Sequence, residues 1–63
     1  MPNYEQLLKT VQICQALSDL EQEIVLFLYD SEQEEFFIVA GKKATIEITI
    51  YSNCELEVTI AEF

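Results

Sequence analysis

The first third of the chain repeats apolar residues at the spacing of an α-helix. Between Asn3 and Leu20 they recur mostly at intervals of three or four, and the main stripe contains Tyr4, Leu7, Leu8, Val11, Cys14 and Leu17. This period predicts an amphipathic helix over about 3–20, with the stripe facing the core. Asn3 is a favourable N-cap, and Gln6 is placed three residues later, where it would complete a capping box.

After Glu23 the apolar period changes to two, and β-branched and aromatic residues become frequent. Four runs are typical of strands, at about 24–30, 35–40, 44–51 and 56–61. The breaks between the runs are short and polar, so neighbouring strands must be antiparallel. The sequence therefore predicts a single α+β domain over residues 1–63. Its N-terminal helix packs on a four-stranded antiparallel meander sheet of order 1-2-3-4.

The alternating pattern also predicts the strand registers, because facing residues must lie on the same side of a sheet. In the last hairpin, a three-residue loop pairs Ile50 with Leu56. In the middle hairpin, a turn at Lys42 pairs Ile38 with Ile46. With a four-residue loop, the first strand adds three residues to the same apolar face: Tyr29, Phe27 and Val25.

The opposite side of the predicted sheet has two unlike halves. Strands three and four place threonine and glutamate there, which is an ordinary solvated surface. Strands one and two instead place five apolar residues there, which we call the apolar half-sheet: Ile24, Leu26, Leu28, Phe37 and Val39. A contiguous patch of this kind on a small protein commonly marks an interface. The alternative is that the helix covers this side, or that the sheet curls and covers both faces in part.

The short length of the chain favours self-association as the use of this patch. A domain of 63 residues buries a smaller fraction of its surface than a larger one, so its stability is marginal. Two-fold dimers are the commonest oligomers of soluble proteins. We therefore expect a homodimer, formed sheet against sheet or edge to edge.

The net charge of the chain limits the classes of molecule that we expect as other partners. Twelve Asp and Glu against three Lys give a net charge of −9. Nucleic acid and anionic membranes bind clustered Lys and Arg, so neither is an expected partner. A basic protein remains attractive, and the candidate acidic surface contains Glu32, Glu34, Glu35, Glu47 and Glu57. The acidic turn at 30–35 lacks the spacing of an EF-hand loop, so we expect a solvated turn and no metal site.

Catalytic chemistry has few candidate residues. The chain has no His, Arg or Trp, and no Gly-rich phosphate loop, so we expect neither an enzyme nor a cofactor. A Cys14–Cys54 disulfide would need close Cα atoms, and free thiols in a reducing compartment are the preferred alternative. The sequence shows neither a signal peptide nor an apolar run long enough to span a membrane, which predicts a cytoplasmic protein.

Several short strings carry a resemblance to a known family. They are Ile13-Cys14-Gln15, Leu17-Ser18, Tyr29-Asp30, Phe37-Ile38-Val39-Ala40-Gly41 and Ile46-Glu47-Ile48. With these strings the chain resembles a family of very short cyanobacterial proteins classed as a domain of unknown function. The resemblance implies a cyanobacterial cytoplasmic protein, and it transfers no activity, cofactor or catalytic residue.

Two functional hypotheses of different classes follow from the sequence. The first is a non-catalytic protein–protein interaction module that dimerises through the apolar half-sheet and presents an acidic surface. The second is an acidic inhibitor, antitoxin-like or mimicking nucleic acid, that occupies the basic site of a toxin or nuclease. A small cation-binding or enzyme-like module is a third class, which the absence of His disfavours.

Overall fold

The fold is one helix followed by a four-stranded antiparallel sheet of order β1-β2-β3-β4. The computed structural model describes residues 2–60. Its elements are α1 (Tyr4–Asp19), β1 (Ile24–Asp30), β2 (Glu35–Ala40), β3 (Ile46–Ile50) and β4 (Leu56–Ile60). The predicted α+β architecture and strand order are confirmed, while β3 is shorter than predicted. Residue 61 of the predicted fourth strand lies outside the described residues.

Both ends of α1 are fixed by local hydrogen bonds. Asn3 is the N-cap, as predicted, and its Oδ1 accepts from the Gln6 N–H at 2.7 Å. At the other end the Gln22 N–H donates to the Leu17 carbonyl at 2.8 Å, with Glu21 at a φ of 57°. A left-handed residue closes many helices, and glutamate takes that role here without the usual glycine. The chain thereby reverses direction and enters β1.

The last hairpin has the predicted register, while the middle hairpin is displaced. Ile50 faces Leu56 as expected, but Ile38 faces Ile48 where Ile46 was predicted. The connecting loop is longer than the pattern indicated. It contains a turn in which the Ala44 N–H donates to the Gly41 carbonyl at 3.0 Å. The error is two residues, so the same side chains remain on the same face.

The first hairpin has the predicted register at its turn and departs from it at its far end. Tyr29 faces Phe36 and Phe27 faces Ile38, as predicted, but an irregularity between Ile24 and Leu26 shifts the pairing. Ile24 therefore faces Ala40, the position predicted for Val25. A bond from the Gly41 N–H to the Glu23 carbonyl, 2.8 Å long, fixes the start of the strand, and the extra residue is accommodated as a bulge.

The core lies between α1 and the two central strands. Its buried apolar residues are Leu17, Phe36, Ile38, Ala40, Ile48 and Ile50, and Ile13, Cys14, Tyr29 and Ile46 pack against them. On this helix-facing side of the sheet the two outer strands are poorly covered. Phe27 of β1 is 46% exposed and Val58 of β4 is 54% exposed. One short helix covers the middle of the sheet and leaves both edges accessible.

The predicted helix stripe faces the sheet only in its second half, where Cys14 and Leu17 pack in the core. Gln6 and Thr10 are buried with Leu17, whereas the apolar residues of its first half are 44–78% exposed: Tyr4, Leu7, Leu8 and Val11. Hydrogen bonds account for this orientation. Gln6 Nε2 donates to the Glu34 carbonyl at 2.8 Å and to the Ile50 carbonyl at 3.2 Å. The predicted reciprocal capping box is wrong, because the Gln6 side chain is engaged with the sheet.

Candidate interaction surface

β1 is an edge strand whose apolar side chains are accessible on both faces. Five consecutive residues are 40–54% exposed: Ile24, Val25, Leu26, Phe27 and Leu28. An edge strand also carries a row of backbone N–H and C=O groups that no strand of its own sheet pairs. Apolar side chains and unpaired backbone groups together are the properties of a surface that binds another strand.

The structure brings four residues of the apolar half-sheet together. Leu26 faces Val39 and Leu28 faces Phe37, and these pairs lie on the side of the sheet opposite α1. Phe37 and Val39 are half-buried. Ile24 is the exception, because the bulge places it opposite Ala40 on the helix-facing side. The alternative that the helix covers the apolar half-sheet is wrong, since α1 packs on the other face.

The patch continues into an open concavity of about 450 Å³ near the turn between β1 and β2. Its lining residues are Leu28, Tyr29, Asp30, Glu35, Phe37 and Thr49. Leu28, Phe37 and Thr49 occupy one row across three strands. The apolar surface therefore ends in carboxylates at this turn.

The candidate acidic surface has its densest part at that same end of the sheet. The Tyr51 hydroxyl donates a hydrogen bond to the Glu57 carboxylate. This bond raises the pKa of Tyr51, as do burial and the charges of Glu57, Glu35 and Glu55. Glu35 and Glu57 are thus near the same phenol. Three carboxylates from two stretches of the chain create a negative potential around this one side chain.

The remaining members of the candidate acidic surface are more dispersed. Glu32 and Glu34 are exposed in the turn between β1 and β2. Asp30 Oδ1 orders that turn by accepting from the Glu32 N–H at 3.0 Å. Glu47 lies on β3 between Val39 and Thr59, next to the apolar half-sheet. The predicted surface therefore has three parts: Glu35 and Glu57 near Tyr51, Glu32 and Glu34 in the turn, and an isolated carboxylate at Glu47.

Three further properties of the described residues concern metal ligands, the two cysteines and membrane-spanning helices. Within residues 2–60 no three His, Cys, Asp or Glu are placed to hold a metal ion. Cys14 and Cys54 are free thiols, and burial raises the pKa of Cys14. In the same part of the chain, no helix has the length and apolar character needed to cross a membrane.

The sequence pattern missed Val25 and Phe27 as members of the exposed surface. The prediction assigned both to a covered face, whereas each is about half exposed. A signal was present, because the run from Ile24 to Tyr29 is apolar at every position and does not alternate. Such a run is typical of a strand covered on both faces. In this chain the run belongs to an edge strand, and its side chains are exposed on both faces of the sheet.

Comparison with known proteins gives a family and no function. No curated protein matches the chain, and no solved structure matches it. A family model described as "Domain of unknown function (DUF6888)" matches residues 1–60, which is nearly the whole sequence. The chain therefore belongs to the DUF6888 family of domains of unknown function.

Proposed function

We propose that this protein is a non-catalytic protein–protein interaction module that dimerises through β1 and the apolar half-sheet. The observation that carries the proposal is the exposure of 40–54% at five consecutive apolar residues of one edge strand. Burying such side chains contributes about 25 cal/mol per Å² of apolar surface. A second copy is the partner that is always present at the same place and concentration.

The distribution of charge makes the association compatible with a net charge of −9. No charged residue occurs from Ile24 to Tyr29, so the proposed contact is locally neutral. The dense carboxylates lie instead at the turn after β1 and around Tyr51. Like charges separated by more than a Debye length, about 8 Å at physiological salt, are largely screened. The dense acidic region around Tyr51 therefore lies outside the run from Ile24 to Tyr29 and stays available to a basic partner.

Sedimentation velocity over a range of concentrations up to tens of micromolar tests the proposal. We expect wild-type dimer, and a dissociation constant weakened about 100-fold or more in Leu26→Glu, because the variant places a carboxylate in an apolar contact. Leu26→Lys should weaken it similarly although it reduces the net charge. Loss of dimer in both variants would assign the association to apolar burial and not to overall charge.

Val58→Glu is the matched control. Val58 is 54% exposed on the other edge strand, so the same change is made at a similar apolar position. We expect this variant to dimerise like the wild type. Wild-type protein that sediments only as monomer at tens of micromolar would refute the proposal, and dimer loss in Val58→Glu alone would move the interface to β4.

The second candidate is the acidic inhibitor, and the negative potential around Tyr51 is the observation that favours it. An inhibitor of a basic toxin or nuclease would use Glu35, Glu55 and Glu57 as substitutes for phosphates. A pull-down from native lysate at low salt tests this, with the Glu35→Gln/Glu57→Gln double variant as the control. Recovery of a basic nuclease by the wild type and not by the variant would support inhibition.

The proposal also includes a cellular location and a source. A cytoplasmic protein from a cyanobacterium is what the resemblance implies. Free thiols at Cys14 and Cys54 are compatible with a reducing compartment. Fractionation of cells that express the tagged protein would test the location, and recovery in the soluble fraction is the expected result.

A further inference from the structure

We propose that the two copies join β1 to β1 in antiparallel orientation across a two-fold axis. Two four-stranded sheets would then form one continuous sheet of eight strands. This inference rests on the proposed dimer and specifies how it is built. It names the backbone of an edge strand as the binding group, where face-to-face packing would use side chains alone.

The hydrogen-bond directions of the sheet show which backbone groups of β1 are free. The Gly41 N–H donates to the Glu23 carbonyl, so alternate residues of β2, including Val39 and Phe37, direct their backbone groups toward β1. Their partners in β1 are Leu26 and Leu28, which direct theirs back toward β2. Alternation then points the N–H and C=O of Phe27 and Tyr29 outward, to the free edge.

The opposite edge of the sheet gives the same result independently. The Tyr51 N–H donates to the Glu55 carbonyl, so alternate residues of β3 turn toward β4 and those between, such as Ile50, toward β2. Ile50 faces Phe36 and Ile48 faces Ile38, which leaves Phe37 and Val39 to pair with β1. By the same alternation, the backbone N–H and C=O of Val58 point outward, to the free edge of β4.

An antiparallel copy of β1 is a self-complementary partner for this edge. In a two-fold pair centred on Leu28, the outward N–H and C=O of Phe27 meet those of Tyr29 in the other copy, and the bulge between Ile24 and Leu26 lies outside this central pair. Asp30 of one copy then lies opposite Leu26 of the other, so the two Asp30 carboxylates are at opposite ends of the paired segment. Apolar side chains extend on both faces of the joined strands, and cross-strand pairs of this kind stabilise a sheet.

Edge pairing accounts for more of the exposed surface than stacking of the apolar half-sheets. Stacking would cover Leu26 and Leu28 and leave Ile24 and Phe27, which are 41% and 46% exposed on the helix-facing side, in water. A neighbouring strand contacts side chains of both faces at once. It also pairs the free backbone groups, which stacking leaves to solvent.

The other edge of the sheet is a poor site for the same contact. On the face away from α1, β4 carries Glu57 and Thr59, whereas β1 carries Leu26 and Leu28 and has a charge only at its last residue, Asp30. Charged residues on an edge strand discourage pairing with a second strand. In an antiparallel pair of two β4 strands, the Glu57 of each copy would approach that of the other within a chain that already carries a charge of −9.

Backbone methylation tests the inference without altering a side chain. A chain of 63 residues is accessible to chemical synthesis, so N-methyl-Phe27 can be compared with N-methyl-Val58. Both amides point away from the sheet, and circular dichroism of each variant checks that the fold is kept. We expect N-methyl-Phe27 to weaken dimerisation at least tenfold, because each copy loses a donor and gains a methyl group at the contact, and N-methyl-Val58 to leave it unchanged.

Amide hydrogen exchange provides the second readout. Protection of the Phe27 and Tyr29 amides should increase with protein concentration, while that of Val58 should not. A dimer unaffected by N-methyl-Phe27, with both amides exchanging as fast as Val58, would overturn edge pairing and leave the proposed dimer standing. Monomer mass at every concentration would overturn both.

Discussion

The two edge strands, β1 and β4, differ on one face only. On the helix-facing side both expose apolar residues, such as Phe27 at 46% and Val58 at 54%. On the other side β1 carries Leu26 and Leu28, whereas β4 carries Glu57 and a threonine. Exposure alone does not separate an interface from a solvated edge. The position of charge on the second face does. Glu57 lies within β4 and makes close approach of another strand costly, whereas Asp30, the carboxylate of β1 on that face, is the last residue of its strand.

The largest expected effect is the difference in stability loss between a substitution in the covered middle of the sheet and one at its edge. Ile38 is fully buried between α1 and the sheet, so Ile38→Ala should lower the free energy of unfolding by about 2–5 kcal/mol. Val58→Ala removes similar atoms at a half-exposed site and should cost below about 1 kcal/mol. Urea unfolding at one fixed concentration measures both, because dimerisation makes stability concentration-dependent. Equal losses would mean that the core extends to the edge.

The next largest effect is a loss of folding stability that leaves the dissociation constant of the dimer unchanged. Gln6 is fully buried, and its Nε2 donates to the carbonyls of Glu34 and Ile50. Gln6→Ala would leave both carbonyls without this donor and should lower stability by about 1–3 kcal/mol. The dissociation constant should not change, because the two carbonyls that Gln6 contacts, those of Glu34 and Ile50, lie outside β1. Gln12→Ala, at an exposed site of the same helix, is the control for helix propensity.

The contacts of Gln6 also mark a limit of prediction from the sequence. Apolar spacing correctly predicted that α1 exists, and the Asn3 cap correctly predicted where it begins. The side that faces the sheet is set by hydrogen bonds from Gln6 to carbonyls 28 and 44 residues away. A periodicity describes one element, whereas this choice depends on where two strands end. The exposed Leu7 and Val11 show that the larger apolar stripe is not the buried one.

The hairpins show the same division between local and distant causes. The register of β3 with β4 followed from the alternation of isoleucine with glutamate and threonine, because a one-residue slip would bury Glu57 against Ile50. The first hairpin was predicted at its turn and was wrong at Ile24, where the Gly41–Glu23 bond introduces a bulge. Membership of Leu26 and Leu28 in the candidate surface was predictable. The position of Ile24 required the three-dimensional contact.

A smaller effect tests whether Glu57 protects the β4 edge. Glu57→Val would make the far face of β4 resemble that of β1 and should permit a second edge contact. Dimers joined at β1 could then extend through β4, because a non-closing contact produces chains. We expect light scattering to rise with concentration in this variant. Glu32→Val, in the exposed turn, is the control for lost charge, and scattering that rises equally in both would contradict a protective role at β4.

The smallest effect concerns the hydrogen bond that the Tyr51 hydroxyl donates to the Glu57 carboxylate on the β4 edge. The bond, followed by burial and by neighbouring carboxylates, raises the pKa of Tyr51 above its ordinary value of 10.0. A phenol whose pKa is higher in the folded state contributes stability at pH values below 10.0, where both states are protonated. That contribution is lost as the pH rises through the folded-state pKa.

Thermal melts of the wild type and Tyr51→Phe between neutral and strongly alkaline pH measure this difference. The wild type should melt slightly higher at neutral pH, and its advantage should disappear as the pH passes above 10.0, because the unfolded chain ionises first. Tyr4→Phe, at a residue 78% exposed on α1, controls for the loss of a tyrosine hydroxyl. An advantage that persists at high pH would mean that the stabilisation by Tyr51 does not come from the hydrogen bond to Glu57, because an ionised phenol has no proton to donate.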